Sequence, residues 1–311
     1  MESSIYTDMT ACGLCPRRCG VDRTRGKTGV CGMPDTIHIS RCAPHMWEEP
    51  PISGTRGSGT VFFTGCNLRC VFCQNRTISR EGVGHPVTED ELAQKILALQ
   101  EQGVHNINLV TPTHYTLQLA RVLEKIKPRL QIPVVWNSSG YESVEALRMV
   151  EGLVDIYLPD FKYMSGELAA SYSAAPDYSD RATEAVMEMY RQVGKVSFDG
   201  DGLMNRGMIL RHLVLPGCRA DSMEVLRHIA AILPPTDIRV SVMRQYTPDF
   251  AMDYPHKNLH RRVTEFEYTS VLNEAERLGL EGYSQGKDAA DKAYTPAFET
   301  ERMDLRERLN K

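Results

Sequence analysis

The chain has 311 residues and a formal net charge of −4. That length exceeds one average domain and suits a single α/β barrel with additions, while the mildly acidic balance offers no broad basic field for DNA or RNA. The opening MESSIYTDMT lacks the basic-then-apolar layout of a signal peptide, and no apolar run approaches a membrane span. A cytoplasmic protein with no membrane and no specific nucleic-acid partner is expected.

Nine cysteines are present, eight of them within the first 73 residues. In a cytosolic chain such crowding points to metal ligation rather than a disulfide framework. Cys12, Cys15, Cys19 and Cys31 come first, in a segment rich in Gly, Pro, Arg and Lys with too few large apolar residues for a core of its own. Four thiolates around one metal would order it, and both a structural zinc and a second iron-sulfur cluster fit the spacing. Residues 1–50 are thus expected to be a Cys-rich metal-binding segment. Cys42 is expected to be an ordinary buried residue rather than a spare ligand, and Cys218 a packing residue.

The organising stretch is GSGTVFFTGCNLRCVFCQN, from Gly57 to Asn75. A strand-like run from Thr60 to Phe63 feeds a Thr64-Gly65 turn, and Cys66, Cys70 and Cys73 follow with three and then two residues between them. Thiolates favour iron-sulfur clusters, zinc or copper(I), and a closed site takes four ligands. Here the compact group stops at three, which leaves one iron of a cubane open to substrate or cofactor. The same spacing is also one face of a helix, but Asn67, Arg69, Gln74 and Asn75 crowd polar groups around the sulfurs, unlike a buried stripe.

Beyond Asn75, β-rich runs alternate with amphipathic helices. Thr88 to Glu91 reads as a capping box that opens a helix with Leu92, Ile96 and Leu99 inward, stopped at Gly103. Ile107 to Val110 is a strand. Leu117, Ala120, Leu123 and Ile126 mark a helix ended before Pro128, and Pro133 to Trp136 is the next strand. Ser143 to Val150 is helical and Val154 to Leu158 extended. A longer polar interval containing SFDGDGLMNRG is expected to be a lid or substrate loop before the strand Ile209 to Leu215. Met223 to Leu233 is helical, Pro234-Pro235 stops it, and Ile238 to Met243 is the sixth strand. The pattern is that of a parallel sheet with right-handed crossovers, an open barrel or a doubly wound sheet, over residues 51–250. Residues 251–311, with a charged helix from Leu259 to Leu278, read as a C-terminal helical extension.

In parallel barrels the loops after the strands carry the chemistry. The polar strand ends are Gly65-Cys66, Thr111 to His114, Asn137 to Gly140, Asp160-Phe161-Lys162, Pro216-Gly217 and Arg244-Gln245-Tyr246. Thr113, Ser138 and His114 are expected to cap helices or turns. Asp160 and Lys162, two apart in extended backbone, face one side and form either an ion pair or a seat for a zwitterionic ligand.

Cys66-x3-Cys70-x2-Cys73 with Phe72 before the third cysteine resembles the cluster loop of the radical S-adenosylmethionine (SAM) enzymes. Together with EEPPISGTRGSG and FFTGCNLRCVFCQN, it resembles homologues of pyruvate formate-lyase activating enzyme over most of the chain. The resemblance implies a partial (β/α)6 radical SAM barrel. It also implies a [4Fe-4S] cluster on Cys66, Cys70 and Cys73, and S-adenosylmethionine bound near Phe72, Asn137, Ser139, Asp160, Lys162 and Gln245. The implied activity is reductive SAM cleavage followed by hydrogen abstraction, on a glycine of a partner protein if the activating-enzyme likeness extends to substrate. A one-electron reductant such as a flavodoxin or ferredoxin is the implied partner. RHLVLPG, from Arg211 to Gly217, resembles the fifth-strand word of the same group.

One departure stands out. The chain has LVTPTHYT where many radical SAM enzymes carry a Gly-Gly-Glu-like turn that holds the methionine amino group, so Thr111, Thr113 or local carbonyls are expected to replace that contact. The rival class is a zinc or iron-sulfur electron carrier or binding module without SAM chemistry.

Overall fold

A computed structural model of the chain describes residues 8–286. Its frame is one ten-stranded sheet. The strands β1 (Ile37–His45), β2 (Ser58–Phe63), β3 (His85–Val87), β4 (Ile107–Val110), β5 (Val134–Ser138) and β6 (Ile156–Pro159) come first in the chain. They are followed by β7 (Ser197–Phe198), β8 (Met204–Leu213), β9 (Arg239–Met243) and β10 (Gly282–Ser284). Strands β2, β4, β5, β6, β8, β9 and β10 pair parallel in that order. The strands β2, β4, β5 and β6 are buried along their whole length, as expected of parallel strands covered on both faces.

Side chains alternate across these strands. Leu109, Val134, Trp136, Tyr157 and Leu210 pack outward into the main core with the helices. Val135, Ile156, Leu158 and Ile209 face the other way and form an inner apolar layer with Ile52, from the helical turn Pro50–Ser53. Above that layer, toward the carboxyl ends of the strands, the inward positions become polar: Asn137, Asp160, Arg211 and Ser241 line a cavity of about 600 Å³. His45 and Phe62 from one end of the sheet and Gly282 to Ser284 from the other line the same space. The sheet is therefore curled around it.

Local sequence accounts for the helices that were expected. Thr88 Oγ1 accepts from the Glu91 amide at 3.1 Å, and Glu91 accepts from the Thr88 amide at 2.8 Å, completing the capping box of the helix Glu89–Glu101. The helix Thr116–Ile126 buries Leu119, Ala120, Leu123 and Ile126 and gives way to a 3₁₀ turn containing Pro128.

Several expectations are corrected. The polar interval before the fifth parallel strand holds two helices, Gly166–Ser173 and Tyr178–Val193. SFDGDGLMNRG is neither lid nor substrate loop: it makes the β7–β8 hairpin, paired through Ser197 and Arg206. That pairing is at the amino end of β8, the end away from the cavity, and β8 begins five residues before the expected Ile209. Of the residues expected as a Cys-rich metal-binding segment, Ile37–His45 form β1, which pairs antiparallel with β2 in the sheet. The helix expected over Leu259 to Leu278 spans Glu265–Arg277, opened by a second capping box at Thr264. The region after 250 is more than an extension, since β10 continues the parallel sheet beside β9. The polar tail beyond residue 286 and the opening residues 1–7 lie outside the described residues. Among the described residues, no helix is long and apolar enough to cross a membrane.

Candidate active site

The loop after β2 turns at Gly65, whose φ of +88° is left-handed. A Cβ there would stand 2.3 Å from Met33 Cγ and 2.7 Å from the Cys31 carbonyl, so the turn admits only glycine. Residues 66–75 contain no helix, and the alternative of a packed helical cysteine stripe is not realised. Asn67 Nδ2 donates to the Tyr141 carbonyl at 2.6 Å and the Val71 amide to Tyr172 at 2.8 Å. These bonds tie the loop to neighbouring elements without using the sulfurs.

Cys70 and Cys73 line the cavity, and Cys66 lies close enough to feel the charge of both. Hydroxyls approach two of the sulfurs: Ser173 Oγ is 3.0 Å from Cys70 Sγ and Ser79 Oγ 3.3 Å from Cys73 Sγ. Burial, reinforced by the neighbouring sulfurs, pushes the Cys66 thiol up to about 12 and raises Cys73. Buried thiols so close together hold thiolate charge only when a cationic centre supplies the compensation. Among the described residues, no three His, Cys, Asp or Glu side chains converge tightly enough to hold one metal ion. Three mutually close, buried thiols on one loop, two of them on the cavity wall, fit the protein ligands of an iron-sulfur cluster.

Facing the thiols is a buried ion group. Lys162 Nζ reaches Asp160 Oδ2 at 2.5 Å, and Arg211 Nε reaches Asp160 Oδ1 at 3.0 Å. Arg211 also donates to Asn137 Oδ1 at 2.6 Å and stands 3.6 Å from Glu48. Burial alone would raise the Asp160 carboxyl; Lys162 and Arg211 together outweigh it and hold the group below the usual carboxylate range. Lys162 is raised by Asp160 against the opposing pull of burial. Glu48 goes the other way: burial pushes it up to about 7 despite Arg211.

That shift has a stability consequence. A carboxyl raised on folding contributes stability that is full below its ordinary value of 4.5 and is lost as pH climbs through about 7. Glu48→Gln should therefore gain on the wild type between pH 5 and pH 8 by about 1–3 kcal/mol. Paired urea titrations at the two pH values measure this, and a difference that does not change with pH would contradict it.

The structure brings Cys70, Phe72, Cys73, Asn137, Asp160, Lys162 and Gln245 to one cavity, and it corrects other expectations. Ser139 is not among the cavity-lining residues; its hydroxyl is buried without a partner, and its carbonyl accepts from Tyr178 at 2.7 Å. Thr113 does not replace the missing turn, since its hydroxyl donates to Glu142 at 2.7 Å. Glu142 also accepts from Trp136 Nε1 and Ser138 Oγ, each at 3.0 Å, so Ser138 is structural as expected. Thr111, at φ +61°, shapes the backbone and does not line the cavity. His114 bonds the Thr64 carbonyl at 2.7 Å, and burial lowers it to about 3, leaving a neutral ring that braces the cysteine loop. Tyr246 donates to the Leu259 carbonyl and packs its edge on Phe72.

Sequence reasoning gave no role to Arg211, Glu48, Glu49 or Gln285, all on the cavity wall. The Gln285 amide holds the Gln245 side chain at 3.1 Å. Only the charges in EEPP and RHLVLPG hinted at the first three.

Cys12, Cys15, Cys19 and Cys31 line a second, small cavity together with Arg23 and His114. Arg23 is buried; it donates to the carbonyls of His114 and Pro34 at 2.7 Å each and lies 3.9 Å from Cys12 Sγ. A buried guanidinium without a carboxylate partner among the described residues favours negative charge on the sulfurs beside it. The Cys66 amide donates to the Cys31 carbonyl at 3.3 Å, so this thiol group abuts the first. Cys42 and Cys218 are unbridged, Cys218 is buried, and neither lines either thiol cavity.

The sequence profile of the Radical SAM superfamily matches residues 60–217, and the chain belongs to that superfamily. The uncharacterized protein MJ0674 of Methanocaldococcus jannaschii is 31% identical over 283 residues, 87% of this chain and 75% of the relative. Among solved structures, Streptococcus suis SuiB bound to its precursor peptide SuiA is similar with a TM-score of 0.52 at 10% identity, over 72% of this chain and 47% of SuiB. The chain thus spans about half of SuiB, and the likeness is one of fold. A domain of pyruvate-formate lyase-activating enzyme from Bacteroides vulgatus is 12% identical at a TM-score of 0.41, over 55% of this chain and 92% of that domain. That score is too low to carry an argument.

Proposed function

We propose that the chain is a radical SAM enzyme built on an open (β/α)6 barrel, with the 600 Å³ cavity as its reaction chamber. Cys66, Cys70 and Cys73 would hold a [4Fe-4S] cluster whose open iron and low potential supply the electron for reductive cleavage of S-adenosylmethionine to a 5'-deoxyadenosyl radical. Asp160 and Lys162 present opposite charges to one ligand, suited to the ammonium and carboxylate of the methionine end. Arg211 keeps Asp160 ionised and in place, and Asn137 offers its amide beside them for a hydroxyl. Phe72 and Gln245 supply an aromatic face and an amide for a nucleobase. The apolar layer of Val135, Ile156, Leu158 and Ile209 with Ile52 beneath it excludes water from below.

The observation that carries this reading is the meeting of cysteine thiols with the Lys162–Asp160–Arg211 ion group in one cavity. The likeness to SuiB, whose structure holds its precursor peptide, supports a peptide or protein substrate; hydrogen abstraction from a glycine of a partner protein is the reading carried over from the resemblance to activating enzymes. Cys12, Cys15, Cys19 and Cys31, which share one small cavity, would hold a second metal, either a zinc or a second iron-sulfur cluster. Anaerobically reconstituted protein given SAM and dithionite should release 5'-deoxyadenosine and methionine, read by chromatography. A clean negative from protein with an intact cluster would overturn the proposal.

A further inference from the structure

The wall of the main cavity carries a buried carboxylate oxygen that no donor reaches. Asp160 engages Lys162 and Arg211 with its two oxygens, and the remaining reach of Arg211 goes to Asn137 and toward Glu48. Arg211 feels the charge of Glu49 as well as that of Glu48, but of the two it forms an ion pair only with Glu48. Glu49, also on the wall, is 9% exposed, and its Oε2 is buried without a hydrogen-bond partner. A buried carboxylate oxygen without a partner is rare and costly, and one on a cavity wall marks where a ligand's donor belongs. The missing partner must bring an N–H group and positive charge.

The approach to this spot is apolar. Trp47 and Pro50 flank the glutamates on the cavity wall with Phe62 nearby, and Trp47 is 61% exposed. Its neighbour Met46 is 45% exposed. A long aliphatic stem can lie along such a wall while its charged end reaches inward, and two large exposed apolar side chains in sequence suit contact with a polypeptide. We infer that the cavity receives a lysine or arginine side chain of a peptide or protein, its cationic end held by Glu49 and Glu48. The inference deepens the proposed function and rests on its reading of the cavity as a substrate chamber.

The test is a calorimetric titration of anaerobic, cluster-loaded protein with three probes: N-acetyl-lysine methylamide, N-acetyl-arginine methylamide and the neutral N-acetyl-norleucine methylamide. At least one cationic probe should bind about tenfold more tightly than the norleucine probe, the scale of one charge-assisted hydrogen bond. Glu49→Gln should erase that preference. Comparison of the lysine and arginine arms identifies the cation. Equal binding of all three probes by the unaltered protein overturns the inference, whatever becomes of the variant. So does a Glu49→Gln variant that keeps the preference and instead loses affinity for SAM, because Glu49 would then answer the sulfonium or ammonium of the cofactor. Failure of the underlying radical reading shows separately, as absence of 5'-deoxyadenosine from protein that still prefers the cationic probes.

Discussion

Replacing Cys70 with alanine is expected to reduce 5'-deoxyadenosine formation to the background of protein without iron, while metal remains at Cys12, Cys15, Cys19 and Cys31. Cys70 is the middle thiol of its group: its charge acts on Cys66, on Cys73 and on Lys162. With it gone, two sulfurs cannot hold a four-iron cluster that already lacks a fourth protein ligand. The fold should survive, because a partly buried cysteine at a loop position contributes only about 1 kcal/mol. Iron and zinc analysis with circular dichroism separates the outcomes. Loss of all metal from a folded variant would contradict the existence of two independent thiol sites.

The second large effect is expected at Asp160. Asp160→Ala leaves Lys162 and Arg211, with side chains only 15% exposed, facing each other without their shared carboxylate. Breaking a buried pair in this way costs about 3–5 kcal/mol, a large fraction of the ~5–15 kcal/mol typical of a folded protein. The sign with pH follows from the lowered carboxyl. Asp160 contributes fully above its ordinary value of 3.8, and the contribution disappears as pH falls through the lower folded value. Urea unfolding at pH 7 and in acid measures both parts. A loss below about 1 kcal/mol at pH 7 would show the pair to be no more than a solvated surface bridge. The same variant should bind SAM more weakly, and Asp160→Asn, which keeps the shape, should lose SAM affinity with a smaller loss of stability.

Features set by neighbours in sequence were legible. The cysteine loop, the glycine turn before it, the capping box at Thr88 and the apolar runs of β4, β5 and β6 are each specified within a few residues. Asp160 and Lys162 could be placed together because strand geometry alone puts them on one side. Legibility ended where the contact is long-range or the pattern mixed. The helix Tyr178–Val193 buries Ala182, Ala185, Val186 and Met189 at helical spacing, but the charged residues between them dilute the signal. In β1, polar and apolar residues mix because the strand flanks the covered parallel sheet; in β8, the amino end is polar because it is paired into a hairpin away from the core. Glu48 and Glu49 precede the cysteine loop by some seventeen residues, and nothing local announces that the Pro50–Ser53 turn tucks them under Arg211. The placement of Ser139 has a converse reason. A polar turn promises an exposed hydroxyl, yet Gly140, at φ +74° and packed against the Asp160 carbonyl, bends the chain so that Asn137 rather than Ser139 lines the cavity.

Electron-nuclear double resonance on the reduced, cluster-loaded protein, with the amino nitrogen of SAM labelled, tests the central claim most directly. A hyperfine coupling from that nitrogen, present in the unaltered protein and weakened in Asp160→Asn, is the expected result. A reduced cluster with no such coupling at saturating SAM would mean that its fourth iron is closed, and the account of this cavity as a SAM chamber would fail.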